Sequence, residues 1–257
     1  MDDIHLIISA VALRSGSTLL QRMFNARKKT LIWGEHRGCM KEFGRIYAEL
    51  MTVSRQSEHM REQYFKQGES PNMWMPTLIP APNYVEKAVI RSVQQFMHTL
   101  YEQNREGHDL VGFKEVRYGA EELTLLRKCY AKANFVLLVR HPFDCWRSYP
   151  RKWKDYKSAQ DFADSWNEHA SSYLKYVKQD RLSHLIRYED IVAKDQAACA
   201  KIAQLGRLSW KEMYMVLSEK IEGSEKNEQG VDSKDLAIIA RTCREAMETL
   251  GYSRKGS

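Results

Sequence analysis

The sequence predicts an α/β fold in which a central parallel β-sheet has helices on both faces. Three observations support this prediction. Apolar runs of strand length recur along the chain, amphipathic segments of helical period separate them, and short polar turns join the two. Strands that alternate with helices pair in parallel, because each helix returns the chain to the end of the sheet at which the previous strand began. Ligands of such sheets bind at the carboxyl ends of the strands.

The individual elements follow from the positions of these segments. The predicted strands are short and apolar, and they lie at residues 4–13, 30–33, 110–116, 134–140 and 184–187. The predicted helices repeat apolar residues every three or four positions, and they lie at residues 17–27, 39–67, 83–106, 119–131 and 158–179. A further helix begins at Pro142, because proline suits the first helical turn. The chain from His184 onward is mostly helical up to Leu250, around a polar segment at 223–233. Four of the six prolines lie in residues 68–82, which predicts a loop.

Length and charge limit the classes of protein. A chain of 257 residues suits one α/β domain, and 43% hydrophobic with 28% charged residues is typical of a globular protein. The net charge of +7 and the pI near 9.1 favour an anionic ligand or an acidic partner. The basic residues are spread along the chain instead of forming one patch, which argues against nucleic acid as the partner.

The cysteines do not form a metal-binding or disulfide pattern. There are five, and they are widely spaced: Cys39, Cys129, Cys145, Cys199 and Cys243. The sequence has no C-x-x-C pair and no His/Cys cluster with zinc spacing, so we expect reduced thiols and no metal site. The Met-Asp-Asp start lacks the basic region of a signal peptide, and the apolar stretch 4–13 is too short to span a bilayer. We therefore expect a soluble, cytoplasmic protein with no membrane partner.

Residues 10–20 have the pattern of a phosphate-binding loop that lacks its usual lysine. A strand, a Gly/Ser turn and a helix N-terminus direct backbone N–H groups to one point, where an anion can bind. The nucleotide-triphosphatase loop is G-x-x-x-x-G-K-[ST]. Here Gly16 and Thr18 match its last glycine and its hydroxyl residue, Ser17 replaces the lysine, and Arg14 supplies a cation. The loop is predicted to hold an anion without a metal; the alternative is an ordinary solvated turn.

A second candidate anion site follows the strand at 134–140. Arg140 ends this apolar run, and Ser148 lies eight residues later, in the second turn of the helix that begins at Pro142. Both side chains can contact one anion, and arginine binds phosphate with two parallel hydrogen bonds. The alternative for Arg140 is a salt bridge with Asp144. Arg14 and Arg140 follow different strands of one sheet, so they predict two separate anion sites. Two such sites suit a ligand with phosphates at both ends.

These segments resemble the PAPS-dependent sulfotransferases, in particular their bacterial and tyrosylprotein-sulfotransferase-like group. Residues 14–20 are similar to the family's 5′-phosphosulfate loop, and Arg140 with Ser148 is similar to its 3′-phosphate motif. Residues 112–118 and 187–190 also resemble segments of these enzymes, so the resemblance extends from residue 10 to about residue 190. It implies a P-loop-like sulfotransferase fold, PAPS (3′-phosphoadenosine 5′-phosphosulfate) as donor, 3′,5′-ADP as product, and no metal.

The resemblance also implies how the donor is bound. Sulfonate passes to an acceptor hydroxyl in line with the departing 3′,5′-ADP, so charge develops on the leaving phosphate and calls for cations and N–H donors. Arg14 supplies the cation. The N–H donors are expected from the loop residues Ser15, Gly16, Ser17 and Thr18. Tyr188 is expected near the adenine or in the core, and Ser218 resembles a late serine that contacts the cofactor in tyrosylprotein sulfotransferases.

A base must take the proton of the acceptor hydroxyl. Glu35 is the candidate, because it closes the predicted second strand, which we expect beside the first, and related sulfotransferases carry a glutamate at a similar place. Its alternative is a surface ion pair. The neighbouring His36 is the second candidate base, or caps a helix. Lys114 neutralises the transferring sulfonate, or forms an ion pair with Glu115 or Glu122.

The sequence leaves the acceptor open between a peptide tyrosine or other phenol, a sugar, a lipid and a small natural product. Within one domain of residues 1–257, residues 37–106 are predicted to form a helical and loop cap over the acceptor site. The chain differs from cytosolic sulfotransferases in having Arg14 in the loop and in lacking a C-terminal glycine-lysine motif. Two other functions stay open: a P-loop phosphotransferase, against which Ser17 argues, and a non-catalytic nucleotide- or nucleic-acid-binding module.

Overall fold

The structure is a computed structural model that describes residues 4–219 and 231–252. Its strands are Leu6–Ala10 (β1), Thr30–Trp33 (β2), Leu110–Glu115 (β3), Asn134–Val139 (β4) and Ser183–Arg187 (β5). They form one sheet in the order β2-β3-β1-β4-β5, and every pairing is parallel. The predicted α/β fold with a central parallel sheet is therefore confirmed. The predicted polar segment 223–233 lies mostly outside the described residues.

The described residues also form α-helices. They are Ser17–Asn25 (α1), Met40–Gln56 (α2), Glu58–Lys66 (α3), Pro82–Leu100 (α4), Ala120–Cys129 (α5), Pro142–Ser148 (α6), Ala159–Gln179 (α7), Tyr188–Val192 (α8), Gln196–Gly206 (α9), Trp210–Ser218 (α10), Ser233–Thr242 (α11) and Arg244–Thr249 (α12). A short 3-10 helix covers Arg151–Trp153. Pro142 occupies the first turn of α6, as predicted. The helix predicted at 39–67 is two helices that meet at Ser57, and the helix predicted at 83–106 ends at Leu100.

Strand β1 lies at the centre of the sheet and is buried along its whole length. It pairs with β3 on one side and with β4 on the other, so that Leu6 lies opposite both Gly112 and Asn134. A side chain at position 112 would collide with the backbone carbonyl of Leu6, so close packing of β1 and β3 requires glycine there. The loop that follows β1 therefore leaves from the middle of the sheet.

The position of β2 corrects one prediction. We expected the strand before Glu35 to lie beside the first strand, but β2 pairs with β3, with Trp33 opposite Phe113. Burial explains this order. Every residue of β3 is buried, as an interior strand requires, whereas Leu31 and Trp33 of β2 are only half-buried, which suits an edge strand. The chain after β2 consequently emerges beside the end of β3.

The chain divides into two compact units. The helical unit comprises residues 39–103 and 121–131. Within it α2 packs against α4, and the Tyr47 hydroxyl donates to Glu86 across this contact (3.0 Å). Lys128 of α5 forms an ion pair with the same carboxylate. The segment between α3 and α4 has no helix or strand, as its prolines predicted.

The second unit contains the sheet and the remaining described residues. Helix α1 packs against β1, β2 and β3, and α7 packs against β5. The helices α6, α11 and α12 in turn pack against α7. Among the described residues, no helix is both long enough and apolar enough to cross a membrane.

Candidate active site

The loop after β1 is fixed by hydrogen bonds on its first residues. The Val11 N–H donates to a carbonyl of β4 (2.9 Å), and the Leu13 N–H donates to the Tyr156 hydroxyl (3.3 Å). The Ser15 hydroxyl donates to the carbonyl of Ala12. Because Ser15 is fully buried and its hydroxyl is used in this way, only its backbone can contribute to binding an anion.

The second half of the loop has the backbone geometry of an anion site. Arg14 and Gly16 both adopt left-handed conformations, with φ of 68° and 89°. Helix α1 begins at Ser17 without a side-chain cap and without an acidic residue in its first turn. The first N–H groups of a helix have no partner within it, and their partial positive charge attracts anions. Thr18 is exposed in this turn, whereas the Ser17 side chain is buried.

Arg140 brings the two predicted anion sites together. One of its terminal nitrogens donates to the carbonyl of Arg14 (2.7 Å), and its guanidinium lies 4.4 Å from the centre of the Tyr188 ring. The same ring packs so closely against Gly16 that a Cβ there would overlap it. The Nε of Arg140 is buried and, among the described residues, has no hydrogen-bond partner. Two predicted sites that follow different strands are thus adjacent at one edge of the sheet.

The two candidate serines have their hydroxyls bonded within their own helices. Ser148 ends α6 and donates to the carbonyl of Asp144 (2.7 Å). The side chain of Asp144 pairs with Arg147 (3.5 Å), so the salt bridge considered for Arg140 is replaced by this pair. Ser218 is exposed at the end of α10 and donates to the carbonyl of Met215 (2.9 Å). Neither serine is therefore oriented toward an anion by these contacts.

Glu189, the residue after Tyr188, bonds the backbone of His141, the residue after Arg140. The Glu189 carboxylate accepts the His141 N–H (2.8 Å) at one oxygen and the Tyr252 hydroxyl (2.9 Å) at the other. Burial and the charge of Glu189 raise the pKa of Tyr252, so this hydroxyl stays protonated and donates. The sequence did not indicate this contact, because Tyr252 lies outside every motif and more than 60 residues from its partner.

Glu35 lies two residues beyond β2 and contacts two cations. Lys114 forms an ion pair with its Oε1, and Arg117 donates to its Oε2 (2.9 Å). The Lys114 side chain is 7% exposed and that of Glu35 is 27% exposed. Lys114 lies within β3, so the register of β2 and β3 produces this contact. The ion pair considered as the alternative for Glu35 is therefore formed, and its partners are Lys114, itself a candidate site residue, and Arg117.

These cations set the charge state of Glu35. Burial raises the pKa of the Glu35 carboxyl, but the charges and hydrogen bonds of Lys114 and Arg117 lower it by more. The net pKa lies below the ordinary value of 4.5, so Glu35 is ionised at neutral pH and can accept a proton. A pKa this low also makes the carboxylate a weak base while both cations are bound to it.

His36 lies between the candidate base and the core. Its Nε2 shares a hydrogen bond with the Tyr118 hydroxyl, and its ring meets Phe113 edge-on, 5.0 Å between centres. Burial lowers the pKa of His36 by more than the charges of Glu115 and Glu35 raise it. The imidazole is therefore neutral at neutral pH, so it can also accept a proton.

Within residues 4–219 and 231–252, no three His, Cys, Asp or Glu side chains are grouped so that they could hold a metal ion. The central parallel sheet, with a glycine-containing loop that joins its middle strand to a helix, places the chain among the P-loop-like α/β proteins. The model of the sulfotransferase family matches residues 10–212, and the chain belongs to this family.

The solved structures similar to this chain include two sulfotransferase domains. The sulfotransferase domain from the curacin biosynthetic pathway is 17% identical, with 98% of this chain and 99% of that domain covered and a TM-score of 0.54. The sulfotransferase domain of the Synechococcus PCC 7002 olefin synthase is 16% identical, with 97% and 94% covered and a TM-score of 0.55. At such identities these matches show a shared fold. Among curated protein sequences, none is significantly similar to the chain.

Proposed function

We propose that the protein is a PAPS-dependent sulfotransferase that moves sulfonate to a hydroxyl group. Members of the family generally use PAPS, release 3′,5′-ADP and act on hydroxyl-bearing acceptors. The observation that carries the proposal is the hydrogen bond from Arg140 to the carbonyl of Arg14. It joins the two segments that the sequence assigns to the two anionic ends of one donor.

The residues present fit a donor with two anionic ends. At one end, the start of α1 has no side-chain cap and follows a left-handed residue, Gly16, so its N–H groups are proposed to bind the 5′-phosphosulfate. At the other end, the buried Nε of Arg140 has no hydrogen-bond partner among the described residues, which supports an anion as the partner of this guanidinium. The proposed donor-binding residues are Arg14, Ser15, Gly16, Ser17, Thr18, Arg140, Ser148, Tyr188 and Ser218. In this proposal the two serine hydroxyls at 148 and 218 must first release their bonds within their helices.

The proposed reaction divides the chemistry among few residues. The acceptor oxygen bonds to sulfur while the bond from sulfur to the 5′-phosphate oxygen breaks, and the acceptor proton passes to Glu35. Arg14 and the N–H groups of the loop stabilise the charge on the departing phosphate, and removal of one such donor typically costs about 10²–10³ in kcat. Lys114 neutralises the sulfonate. His36, which is neutral and adjacent, is the alternative base.

Donor recognition is tested by thermal shift with 3′,5′-ADP, ADP and magnesium-ATP. We expect the largest stabilisation from 3′,5′-ADP, and its loss in Arg140→Ala. Arg147→Ala is the matched control, because Arg147 pairs with Asp144 on the helix that follows. Equal stabilisation by ADP and 3′,5′-ADP would contradict the two-ended donor. A larger effect of magnesium-ATP would favour a phosphotransferase, and salt-sensitive polynucleotide binding without transfer would favour a binding module.

Catalysis is tested with labelled PAPS over a panel of tyrosine peptides, phenols, sugars and lipids. Glu35→Gln should retain 3′,5′-ADP binding, and its transfer rate should fall by a factor of about 10²–10⁴, the usual contribution of a general base. Glu86→Gln is the matched control, because this carboxylate also pairs with a lysine, Lys128, but in the helical unit. Full activity in Glu35→Gln together with loss in His36→Ala would assign the base to His36.

Two further parts of the proposal concern the acceptor and the location. We propose residues 37–106 as the acceptor cap of a single domain, and Trp74, which is 85% exposed in the Pro-rich segment, as a residue for hydrophobic acceptors. Trp74→Ala should then raise KM for the acceptor without changing KM for PAPS. All five cysteines carry free thiols, which supports a reducing cytoplasmic location.

A further inference from the structure

The side chain of Arg117 connects three carboxylates around the proposed base. One of its terminal nitrogens donates to Glu35 (2.9 Å) and also to Glu115 (2.8 Å). The other lies 3.5 Å from an oxygen of Asp155. Arg117 follows β3 by two residues, and 26% of its side chain is exposed. No motif in the sequence assigns a role to it.

Glu115 gives this arrangement a rigid support. It is fully buried, and besides Arg117 it accepts two backbone N–H groups, those of Gly38 (2.7 Å) and Val116 (2.8 Å). Gly38 lies in the turn at residues 37–39, three residues after Glu35, so the buried carboxylate contacts both this turn and the guanidinium that bonds Glu35. A buried carboxylate with all its partners in place does not rotate easily, because any displaced partner leaves an unpaired charge.

The proposed reaction makes two demands on Lys114 that conflict. Lys114 is bound to Oε1 of Glu35, yet it is also the cation proposed to neutralise the sulfonate. When Lys114 is engaged by the sulfonate, Oε1 loses its partner. Arg117 contacts the other oxygen, Oε2, and its own support comes from Glu115 and Asp155, which do not involve Lys114. Glu35 therefore keeps one cation and its orientation throughout.

We propose that Arg117 is a positioning residue that holds the Glu35 carboxylate in place, independently of Lys114. The inference rests on the proposed function of Glu35 as the base. When Lys114 leaves Glu35 for the sulfonate, Glu35 loses one of its two cations and becomes a stronger base than in the free protein. Arg117 then still holds its carboxylate in place. The titratable groups that face Glu35 are Lys114, Arg117 and the neighbouring His36.

The test measures the titration of Glu35 in the donor-free protein. The carboxyl carbon of ¹³C-labelled glutamate reports it by NMR, and its disappearance in Glu35→Gln assigns the signal. In Arg117→Met we expect the pKa of Glu35 to rise by about one unit or more, because a cation at this distance lowers a carboxyl pKa by 1–3 units. Arg45→Met is the matched control, because Arg45 bonds two carboxylates on an exposed helix surface. It should leave Glu35 unchanged.

Arg117→Lys covers the case in which Arg117→Met does not fold. A lysine keeps the charge but has a single nitrogen, so it loses the contact that the second terminal nitrogen of Arg117 makes with Asp155. Its charge is then held less closely against Glu35, and the pKa of Glu35 should still rise, by less than in Arg117→Met. An unchanged Glu35 titration in the folded variants would overturn the proposal. A merely structural role would lower the folded fraction without moving this titration.

Kinetics with PAPS separate this inference from the proposed function. In Arg117→Lys, kcat should fall while KM for PAPS stays within about twofold of the wild-type value. In the pH profile of kcat, the loss of activity at acid pH should move with the shifted pKa of Glu35. Absence of transfer from PAPS by the wild type would refute the proposed function, yet the Glu35 titration would still decide what Arg117 does. Normal transfer with an unmoved titration would refute the inference about Arg117 alone.

Discussion

Replacement of Gly16 by alanine is expected to destabilise the protein through two separable effects. The residue has φ of 89°, a left-handed conformation that costs an ordinary residue about 1–2 kcal/mol. In addition, a Cβ at this position would lie closer than 3.0 Å to two carbons of the Tyr188 ring, where ordinary contact is 3.4–4 Å. The ring cannot move away freely, because it lies under the Arg140 guanidinium.

The structure sets the expected size of each effect. Overpacking of this kind typically costs about 1–3 kcal/mol, so Gly16→Ala should lower the free energy of unfolding by about 2–5 kcal/mol in total. In a Tyr188→Ala background only the backbone part should remain, about 1–2 kcal/mol. The control is Gly107→Ala, because Gly107 has a similar φ of 85° and a Cβ added there would meet no atom within 4 Å.

The assay is urea denaturation followed by far-ultraviolet circular dichroism on the wild type, the single variants and the double variant. The difference between the cost of Gly16→Ala with and without the Tyr188 ring is the coupling energy of the pair. We expect at least about 1 kcal/mol for Gly16 with Tyr188 and none for Gly107 with Tyr188. If Gly16→Ala fails to fold and the double variant folds, the rescue reports the same coupling.

Two results would refute this reasoning. Equal costs for Gly16→Ala and Gly107→Ala would show that the Tyr188 ring places no limit on position 16. A cost below about 0.5 kcal/mol for Gly16→Ala would show that the left-handed conformation is not required, since that is the range of ordinary surface substitutions.

Three further predictions concern carboxylates. Glu115→Ala should lower the free energy of unfolding by about 3–5 kcal/mol in urea denaturation, because it removes a fully buried acceptor of three donors; a loss below about 1 kcal/mol would contradict this. Because the folded-state pKa of Glu35 is lowered, the ionised carboxylate stabilises the folded protein above pH 4.5, and this stabilisation is lost as the pH falls through the lowered pKa. The free energy of unfolding of Glu35→Gln, measured by urea denaturation at several pH values, should therefore fall less at acid pH than that of the wild type. The two hydrogen bonds from Arg27, 2.5 and 2.8 Å long, lower the pKa of Asp109 to about 2, and Arg27→Ala should return its NMR titration toward 3.8.

The positions of the strands could be predicted because each strand is a local apolar run. Their order could not, because it depends on which strands need burial on both faces. The half-buried residues of β2 place it at the edge, and this order brings Glu35 to Lys114. Helix ends were predicted less well. The predicted helix 83–106 includes the polar residues 102–106, whereas the last buried residue of that segment is Tyr101 and the helix ends at Leu100.

Local sequence patterns likewise predict some parts of the candidate site and not others. Arg14, Gly16 and Arg140 belong to short segments whose pattern already indicates an anion site, so their adjacency follows once both strands are parallel. Arg117 lies two residues beyond β3, and its position near the carboxyl end of a predicted strand was the available signal for it. Its contacts with Glu35 and Asp155 join residues 82 and 38 positions apart, and no local pattern encodes such distances.

The central position of β1 has a consequence for how the chain is made. This strand is synthesised before the other four, as residues 6–10, but its two neighbours are residues 110–115 and 134–139. At about 5–20 residues per second on the ribosome, its apolar side chains wait roughly 5–25 seconds for both partners. During that interval the side chains of β1 lack the neighbouring strands that bury them in the folded protein. Apolar surface that is exposed in this way is prone to aggregation, and in β1 it stays exposed until β4 has been synthesised.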